Sequence, residues 1–234
     1  MKDFMEGVKD STPITIGYFS VSFTFGIMAA GFGLSPLTAG AISLFNVTSA
    51  GQFAGITLFA AGAPYLELFF TQLIINLRYA LMSLTLTQKL SKSVTTGKRL
   101  IMSFGITDEI FAVAVTREKP VTLRYMLGLE WVPIISWTLG SFCGAVANNL
   151  LPASVQSALG IALYGMFVAI VLPVAKERRS VLFVSVLALT LSCIFYYVPL
   201  FHRVSSGFSI IFSTVLAAGF GALFFPGEEE EEEE

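Results

Sequence analysis

The sequence places an arginine and an asparagine inside the apolar run Leu66 to Leu86, where Arg78 follows Asn76 by two positions. About 20 helical residues cross a hydrocarbon core of roughly 30 Å, so this run predicts a membrane-spanning helix with both side chains near mid-depth. A charge at that depth costs about 2.5 kcal/mol or more on insertion scales and needs a compensating partner. We therefore interpret Arg78 as the first candidate functional residue; the alternative is an arginine that only fixes helix packing.

Polar side chains occupy two stripes of this predicted helix. Spacings of four, three and four residues place one set on a common face, and Arg78 lies well away from that face. Because lipid would leave both stripes unpaired, we expect the helix to be central in the bundle or distorted near Asn76, and not to face lipid. The first set is Gln72, Asn76, Tyr79 and Ser83, and the stripe of Arg78 also carries Thr71 and Thr85.

The best candidate partner for Arg78 is the pair Asp108 and Glu109, two adjacent carboxylates inside an apolar segment. Glu130, in a later apolar segment, is the next candidate. An alternative interpretation is that Thr107 and Asp108 cap the second half of a broken helix, with Glu109 in its first turn. Capping is compatible with a binding site, since the N-termini of half-helices attract carboxylate groups.

Other polar residues receive simpler interpretations. We expect Glu67 to lie at the membrane interface, Trp137 to fill space in a span and His202 to lie in a loop. The sequence has one histidine, no Cys/His ligand cluster and no His-Glu-x-x-His motif, so metal-dependent and serine–histidine mechanisms lack their residues. We expect no metal ion, no cofactor, no catalytic residue and no nucleic acid partner.

The composition indicates a polytopic membrane protein. Of the 234 residues, 55% are hydrophobic and 13% are charged, and the mean hydropathy is +0.77. Lipid-exposed backbone must satisfy its own hydrogen bonds, and apolar runs of this length without alternation favour α-helices over barrel strands. We predict an all-α integral membrane helix bundle in one domain, residues 1–227, followed by a disordered acidic tail, residues 228–234.

Eight apolar segments form the predicted bundle, and two of them are irregular. Leu37 to Gly62 has a polar, glycine-punctuated centre, and Arg99 to Thr116 is short and carries its two carboxylates in the middle. Such centres interrupt helices where backbone lines a cavity. The other six segments are Ile14 to Leu34, Tyr65 to Thr87, Thr122 to Leu150, Ala153 to Ala175, Val181 to Val198 and Gly207 to Phe225.

The distribution of basic residues favours re-entry of the two irregular segments. Short cytoplasmic loops are enriched in Lys and Arg. If all eight segments cross from a cytoplasmic N-terminus, eight basic residues are cytoplasmic and five are external. If the irregular segments re-enter, twelve are cytoplasmic and only Arg203 is external. We therefore predict six full spans, two broken or re-entrant segments, and both termini on the cytoplasmic side.

Four stretches carry a family resemblance: Ser49 to Ala63, Ile75 to Ser83, Thr107 to Glu109 and Ala162 to Pro173. They resemble the AzlC family, the large subunit of two-component branched-chain amino acid exporters, and the resemblance runs from about residue 11 to residue 225. The family often carries histidine at the position of Tyr79, so this chain lacks a titratable group there. The resemblance implies export of leucine, valine, isoleucine or similar amino acids across the cytoplasmic (inner) membrane with a small AzlD-type subunit.

These observations predict a secondary active exporter rather than an enzyme. An aliphatic amino acid presents a carboxylate for Arg78 or a half-helix N-terminus, and an ammonium for Asp108 or Glu109, which could instead bind a coupling proton. The sequence has no Gly-x-x-x-x-Gly-Lys-Ser/Thr motif, which favours an ion gradient, most simply protons, as the energy source. The predicted substrate-binding residues are Arg78, Asn76, Gln52, Ser49 and Tyr79, and the predicted coupling or ion-pair residues are Asp108, Glu109 and Glu130.

Two other classes stay open at this point. A channel or a non-transporting assembly subunit also fits a glycine-rich membrane bundle. A membrane-embedded hydrolase would have to use a carboxylate mechanism at Asp108 and Glu109. The 20 glycines also provide small-residue faces that are compatible with a homo-oligomer in the lipid bilayer.

Overall fold

A computed structural model describes residues 1–148, 150–201 and 203–225, without the side chains of part of the helix at 153–177. His202 and the acidic tail 228–234 lie outside the described residues. Within the described part the chain forms eleven α-helices, one 3₁₀ helix and no named strand, which confirms the predicted all-α bundle. The helices are α1 (Lys2–Asp10), α2 (Thr12–Gly31), α3 (Pro36–Phe45), α4 (Ser49–Ala60), α5 (Tyr65–Thr87), α6 (Thr96–Ser103), α7 (Asp108–Thr116), α8 (Leu123–Ala147), α9 (Ala153–Glu177), α10 (Arg179–Tyr197) and α11 (Ser206–Phe224), and the 3₁₀ helix is Pro199–Phe201.

Five of the described helices are long and apolar enough to cross a membrane: α2, α5, α8, α10 and α11. They correspond to five of the six predicted full spans. The sixth predicted span, Ala153 to Ala175, falls in α9, a 25-residue helix with Pro173 inside it.

Both segments that the sequence marks as irregular are interrupted helices. α3 ends at Phe45 and α4 begins at Ser49, and between them Asn46 leaves the helical conformation, with φ −126° and ψ 75°. α6 ends at Ser103 and α7 begins at Asp108. The polar and glycine-rich centres of the two segments therefore correctly predict that their helices are broken.

The α6–α7 segment begins and ends on the same face of the bundle. Leu90, before α6, forms an isolated β-bridge with Val121, after α7. The Ser91 N–H donates to the Val121 carbonyl at 2.9 Å, and the Val121 N–H donates to the Lys89 carbonyl at 2.8 Å. Because these bonds hold the two flanking loops together, α6 and α7 form a re-entrant pair and do not cross the bundle as one helix.

The α3–α4 segment also folds back at its break. The side-chain amide of Gln52 donates to Ser43 Oγ at 2.8 Å. In one straight helix, residues nine positions apart are separated by about 13.5 Å along the axis, beyond the reach of this contact. The chain therefore turns at residues 46–48 and brings the end of α3 beside the start of α4.

The chain divides into two compact units, Met1–Thr57 with Ile75–Ile161 and Leu58–Ile74 with Ala162–Glu234. In the first unit, glycines set how closely α2 and α8 approach. A Cβ on Gly26 of α2 would overlap the Ser141 carbonyl of α8, and a Cβ on Gly144 of α8 would overlap the Phe23 carbonyl of α2. Small residues at such contacts let two helix backbones pack directly against each other.

In the second unit, Glu67 is buried and bonded to another helix, a tertiary partner that the expected interfacial position does not include. Its side chain is 3% exposed, and Oε1 accepts the backbone N–H of Gly207 at 2.9 Å. Gly207 lies in the first turn of α11, where backbone N–H groups lack intrahelical partners and a carboxylate is favoured. Glu67 therefore stabilises the start of another helix.

The N-terminal residues form a helix of their own, α1, which packs on α8. A Cβ on Gly7 would overlap the Tyr125 carbonyl of α8. Ser11 precedes α2, and its hydroxyl donates back to the Val8 carbonyl at 2.9 Å; the residue has helical dihedrals and no capping bond from its side chain. α1 and α2 therefore follow each other with only a local turn between them.

Candidate functional site

The candidate site is built around Arg78 on α5 and the first turn of α7. Arg78 Nη1 lies 2.6 Å from Asp108 Oδ2, and each side chain is 44% exposed in the single chain. The arginine thus pairs with the Asp108–Glu109 dyad that the sequence marks as its best partner.

Arg78 also contacts Tyr79, although helical projection puts the two residues on different stripes. The guanidinium carbon lies 5.1 Å from the centroid of the Tyr79 ring, and Arg78 Nη2 donates to the phenol oxygen at 3.4 Å. The arginine side chain is long enough to cross the helix surface. The guanidinium of Arg78 therefore reaches the phenol of Tyr79, although the two Cα positions belong to different stripes. A cation over an aromatic ring contributes about 0.5–1 kcal/mol at an exposed site.

A chain of hydrogen bonds continues from Tyr79 to the start of α4. The Tyr79 hydroxyl donates to Thr48 Oγ1 at 3.2 Å, and Thr48 Oγ1 donates to Asn76 Oδ1 at 2.8 Å. Thr48 Oγ1 also accepts the Gly51 N–H at 3.3 Å and so caps the first turn of α4. Two predicted binding residues, Tyr79 and Asn76, therefore contact the N-cap of α4, and Arg78 is linked to it through Tyr79.

The start of α7 has the same arrangement as the start of α4. Thr107 is its N-cap and accepts the Ile110 N–H at 3.4 Å, with Asp108 and Glu109 in the first turn. The helix dipole stabilises negative charge at this end. The capping interpretation is thus confirmed, and it coexists with the ion pair to Arg78. Two half-helix N-termini, those of α4 and α7, are joined through Arg78 and Tyr79.

Tyr18 of α2 completes the α7 end of the site. Its hydroxyl lies within hydrogen-bond distance of Thr107 Oγ1 and 2.8 Å from Glu109 Oε2, and the residue is buried. A phenol has one hydrogen, so it donates to the carboxylate and accepts from the threonine hydroxyl. Sequence spacing did not identify Tyr18, because its partners lie on another helix.

Gln52 and Trp137 form a buried polar contact next to Tyr18. Trp137 Nε1 donates to Gln52 Oε1 at 2.6 Å, and its ring packs edge-on to Tyr18 with centroids 5.2 Å apart. Gln52 in turn bonds Ser43, whose hydroxyl pairs with Ser141 of α8. The expectation that packing alone explains Trp137 is therefore incomplete. Gln52 is 1% exposed and uses both ends of its amide, so it positions α4 rather than lining an open site.

Ser49 retains unused hydrogen-bonding capacity. It is the first residue of α4, next to the capping Thr48, and its hydroxyl is buried with no hydrogen-bond partner among the described residues. A free hydroxyl beside backbone N–H groups at a helix N-terminus is suited to an anionic group.

Glu130, the second candidate partner predicted from the sequence, does not pair with Arg78. It is 2% exposed on α8, and its side chain packs against Gly105 in the α6–α7 break, where a Cβ would approach three of its carbon atoms at 2.7 Å. Within the described part of the chain, Glu130 Oε1 has no hydrogen-bond partner. The arginine is satisfied by Asp108 instead, because Asp108 lies at the surface of the site and Glu130 lies beneath the break.

The site is rich in charged and polar groups. It combines one guanidinium, two carboxylates, two half-helix N-termini and several hydroxyls. Over the described residues, no group of three or more His, Cys, Asp or Glu is arranged to hold a metal ion.

The fold and the site define a helical membrane protein in which two interrupted helix pairs bring half-helix N-termini to an intramembrane arginine. Residues 13–151 match the family described as AzlC protein, and the chain belongs to this AzlC family. It is 32% identical over 185 residues to Inner membrane protein YgaZ of Escherichia coli, covering 76% of this chain and 75% of the relative. It is 35% identical over 178 residues to a protein of Archaeoglobus fulgidus named Uncharacterized membrane protein, covering 75% and 78%. No solved structure matches the chain.

Proposed function

We propose that this chain is the large subunit of a secondary active exporter that moves branched-chain amino acids out of the cell, together with a small AzlD-type membrane subunit. The observation that carries the proposal is the half-buried ion pair of Arg78 and Asp108 beside the N-termini of two half-helices. An amino acid zwitterion has a carboxylate that suits the guanidinium and a helix N-terminus, and an ammonium that suits a carboxylate.

Substrate binding would replace one ion pair by two. The substrate carboxylate takes the place of Asp108 beside Arg78, and the substrate ammonium takes the place of Arg78 beside Asp108. Because the zwitterion has no net charge, the total charge of the site is the same with and without substrate. The electrostatic cost of a conformational change in the membrane is therefore similar for the empty carrier and for the carrier with bound substrate.

Hydroxyl and amide groups at the start of α4 support orientation of the substrate. Ser49 has a free buried hydroxyl there, and Asn76 and Tyr79 are held at the same end through Thr48. The carboxylate would bind at this end, and Asp108 with Glu109 at the start of α7 would bind the ammonium. The aliphatic side chain then lies against the apolar helix walls, which distinguish leucine, valine and isoleucine from polar amino acids.

The cytoplasmic membrane is the proposed location, and the relative named Inner membrane protein YgaZ supports it. The bridge between Leu90 and Val121 puts the basic loops before α6 and after α7 on one face, which agrees with twelve basic residues on the cytoplasmic side. Both termini would then be cytoplasmic. The energy source would be an ion gradient, most simply protons.

The proposal is tested by efflux of radiolabelled leucine, valine and isoleucine from cells that express the chain with and without a small AzlD-type subunit. Arg78→Gln is compared with the wild-type protein at matched membrane abundance, and Arg203→Gln, a change in an exposed loop, is the control. We expect export by the wild-type protein and by Arg203→Gln, and loss of export in Arg78→Gln.

Two results would contradict the proposal. If the wild-type protein gives no flux of any of the three amino acids with the partner present, the substrate class is wrong. If flux dissipates gradients and barely discriminates among solutes, the protein is a channel. Normal export by Arg78→Gln would show that Arg78 is not part of the substrate-binding site, while the protein would still be an exporter.

A further inference from the structure

One acidic side chain of the first unit has no role in the site described so far. Glu130 lies on α8, a predicted full span, and is 2% exposed. Its Oε1 has no hydrogen-bond partner in the described residues. Buried carboxylates are normally paired or fully hydrogen-bonded, because an unpaired buried charge is strongly unfavourable. The position of Glu130 therefore needs an explanation.

The acidic groups on the elements packed around Glu130 are engaged elsewhere, and the two cations of α6, Lys98 and Arg99, form no described ion pair with it. Asp108 of α7 pairs with Arg78, and Glu109 accepts from Tyr18 of α2. On α1, Asp10 Oδ2 accepts from the Tyr125 hydroxyl at 2.9 Å, and Glu6 pairs with Arg117 and Lys119. α3 and α6 offer no acidic side chain, and no described cation lies within ion-pair distance of Glu130. A proton on the carboxyl itself is then the simplest way to remove its charge.

The carboxyl also touches the part of the chain that carries the α7 end of the site. Gly105 lies against the Glu130 side chain, two residues before the N-cap Thr107 and three before Asp108. Loss of the proton would create a charge directly beneath the α6–α7 break. Water or a donor must then reach the carboxylate, which requires the break to move away from Glu130. Proton binding at Glu130 and the position of Asp108 are in this way linked.

We propose that Glu130 is the proton-binding residue of the carrier, and that its protonation holds the α6–α7 break closed against α8. The inference rests on the proposed export function and names its coupling site. In each cycle a proton enters from the external side, binds the Glu130 carboxyl and leaves to the cytoplasm, while one zwitterionic amino acid leaves the cell. The carboxyl alternates between its acid and carboxylate forms, and no other reactant is needed.

The transport test uses Glu130→Gln, which keeps the size of the side chain and removes its proton chemistry. The complex with its small subunit is reconstituted into vesicles, and two rates are measured with radiolabelled leucine: exchange at equal concentrations on both sides, and transport driven by an imposed pH gradient. Glu67→Gln is the control, because Glu67 is also buried in a span but accepts the Gly207 N–H, which a glutamine carbonyl can still accept.

We expect Glu130→Gln to retain exchange and lose the response to the pH gradient, and Glu67→Gln to retain both. A pH-driven rate in Glu130→Gln equal to that of the wild-type complex would overturn the inference while the exporter proposal stands. Loss of both rates in Glu130→Gln with normal protein abundance would also overturn it, because the residue would then be needed for binding or folding rather than coupling.

A second measurement does not depend on the substrate. Infrared difference spectra of the purified wild-type complex in bilayers are recorded across a pH titration. The carboxylic acid C=O band of Glu130 should disappear as the pH rises, and it should be missing from Glu130→Gln but present in Glu67→Gln. If the wild-type and Glu130→Gln spectra are the same, Glu130 does not exchange a proton, and the inference fails even if leucine is not the substrate.

Discussion

The guanidinium of Arg78 lies 2.6 Å from the carboxylate of Asp108 and joins a continuous span, α5, to the half-helix α7. The arginine at mid-span is in this way neutralised by a residue at a helix break. Both side chains are 44% exposed in the single chain.

Breaking this pair from either side should give coupled losses. Arg78→Gln and Asp108→Asn each leave one charged partner alone, and the double variant leaves none. We expect a coupling energy of about 0.5–3 kcal/mol between the two sites in a double-mutant cycle of thermal stability. The double variant should regain part of the stability that each single variant loses. Transport should nevertheless be absent in all three variants, because each lacks a charged group that is proposed to bind substrate. Additive losses of stability would show that the pair does not form.

The two tryptophans give a matched test of the buried polar contact. Trp137→Phe leaves the Gln52 carbonyl oxygen without its donor, and an unsatisfied buried acceptor costs about 1–3 kcal/mol. Trp131 is 42% exposed, so Trp131→Phe should change stability little. Unfolding temperatures of the two variants in the same detergent measure the difference. Equal losses would mean that the Trp137–Gln52 bond contributes nothing.

Two glycines test the close approach of α2 and α8. A Cβ at Gly144 meets a backbone carbonyl oxygen that cannot move independently, so Gly144→Ala should destabilise the protein by about 1–3 kcal/mol. At Gly17 on α2 no described atom lies within 4 Å of the Cβ position. Gly17→Ala should therefore be neutral or stabilising, by up to about 1 kcal/mol in a helix. If Gly144→Ala unfolds at the wild-type temperature, the two helices are farther apart than described.

Re-entry of α6–α7 can be tested by labelling single cysteines from each side of the membrane. In a background where Cys143 and Cys193 are replaced by alanine, Lys92→Cys and Lys119→Cys should react from the same side, because the Leu90–Val121 bridge joins their loops. Arg203→Cys should react from the opposite side according to the distribution of basic residues. Labelling of positions 92 and 119 from opposite sides would mean that this segment crosses the membrane.

Docking of α1 should depend on pH through Glu6, which lies outside the spans. Hydrogen bonds from Lys119 and then Arg117 lower the pKa of Glu6 below its ordinary value of 4.5. A carboxyl whose pKa is lowered in the folded state stabilises that state fully at a pH above its ordinary pKa. This stabilisation is lost as the pH falls through the lowered pKa. We expect amide hydrogen exchange in α1 to accelerate, after correction for intrinsic rates, over that acidic range. In Glu6→Gln the corrected rate should already be raised and should not change further.

Local composition predicts the helix breaks, and charge complementarity predicts the main ion pair, although Arg78 and Asp108 lie on different helices. Glycines and polar side chains within a dozen residues are enough to mark the interrupted segments. Asp108 and Glu109 stand out as partners for Arg78 because adjacent carboxylates are rare in apolar runs. The charge count over loops then favours re-entry, and the Leu90–Val121 bridge shows it for α6–α7.

Contacts between helices are beyond the reach of spacing within one helix. Tyr18 meets Thr107 and Trp137 meets Gln52 only because α2, α4, α7 and α8 pack together. The partner of Glu67 is missed for the same reason, since it is a backbone N–H in α11. From the sequence alone, each of these side chains has a simpler role that is common for its residue type. Only the contact with another helix shows the additional role.

The half-helix N-termini at the two breaks also affect which ions can approach the site. Each presents the positive end of a helix dipole at the start of α4 and of α7. A sodium or potassium ion that approached these ends would be repelled by both of them and by Arg78, and the carboxylates that could attract it, Asp108 and Glu109, are already engaged with Arg78 and Tyr18. In the proposed exporter, the interrupted helices should therefore oppose the entry of alkali cations, so that the membrane potential is preserved while an organic zwitterion passes.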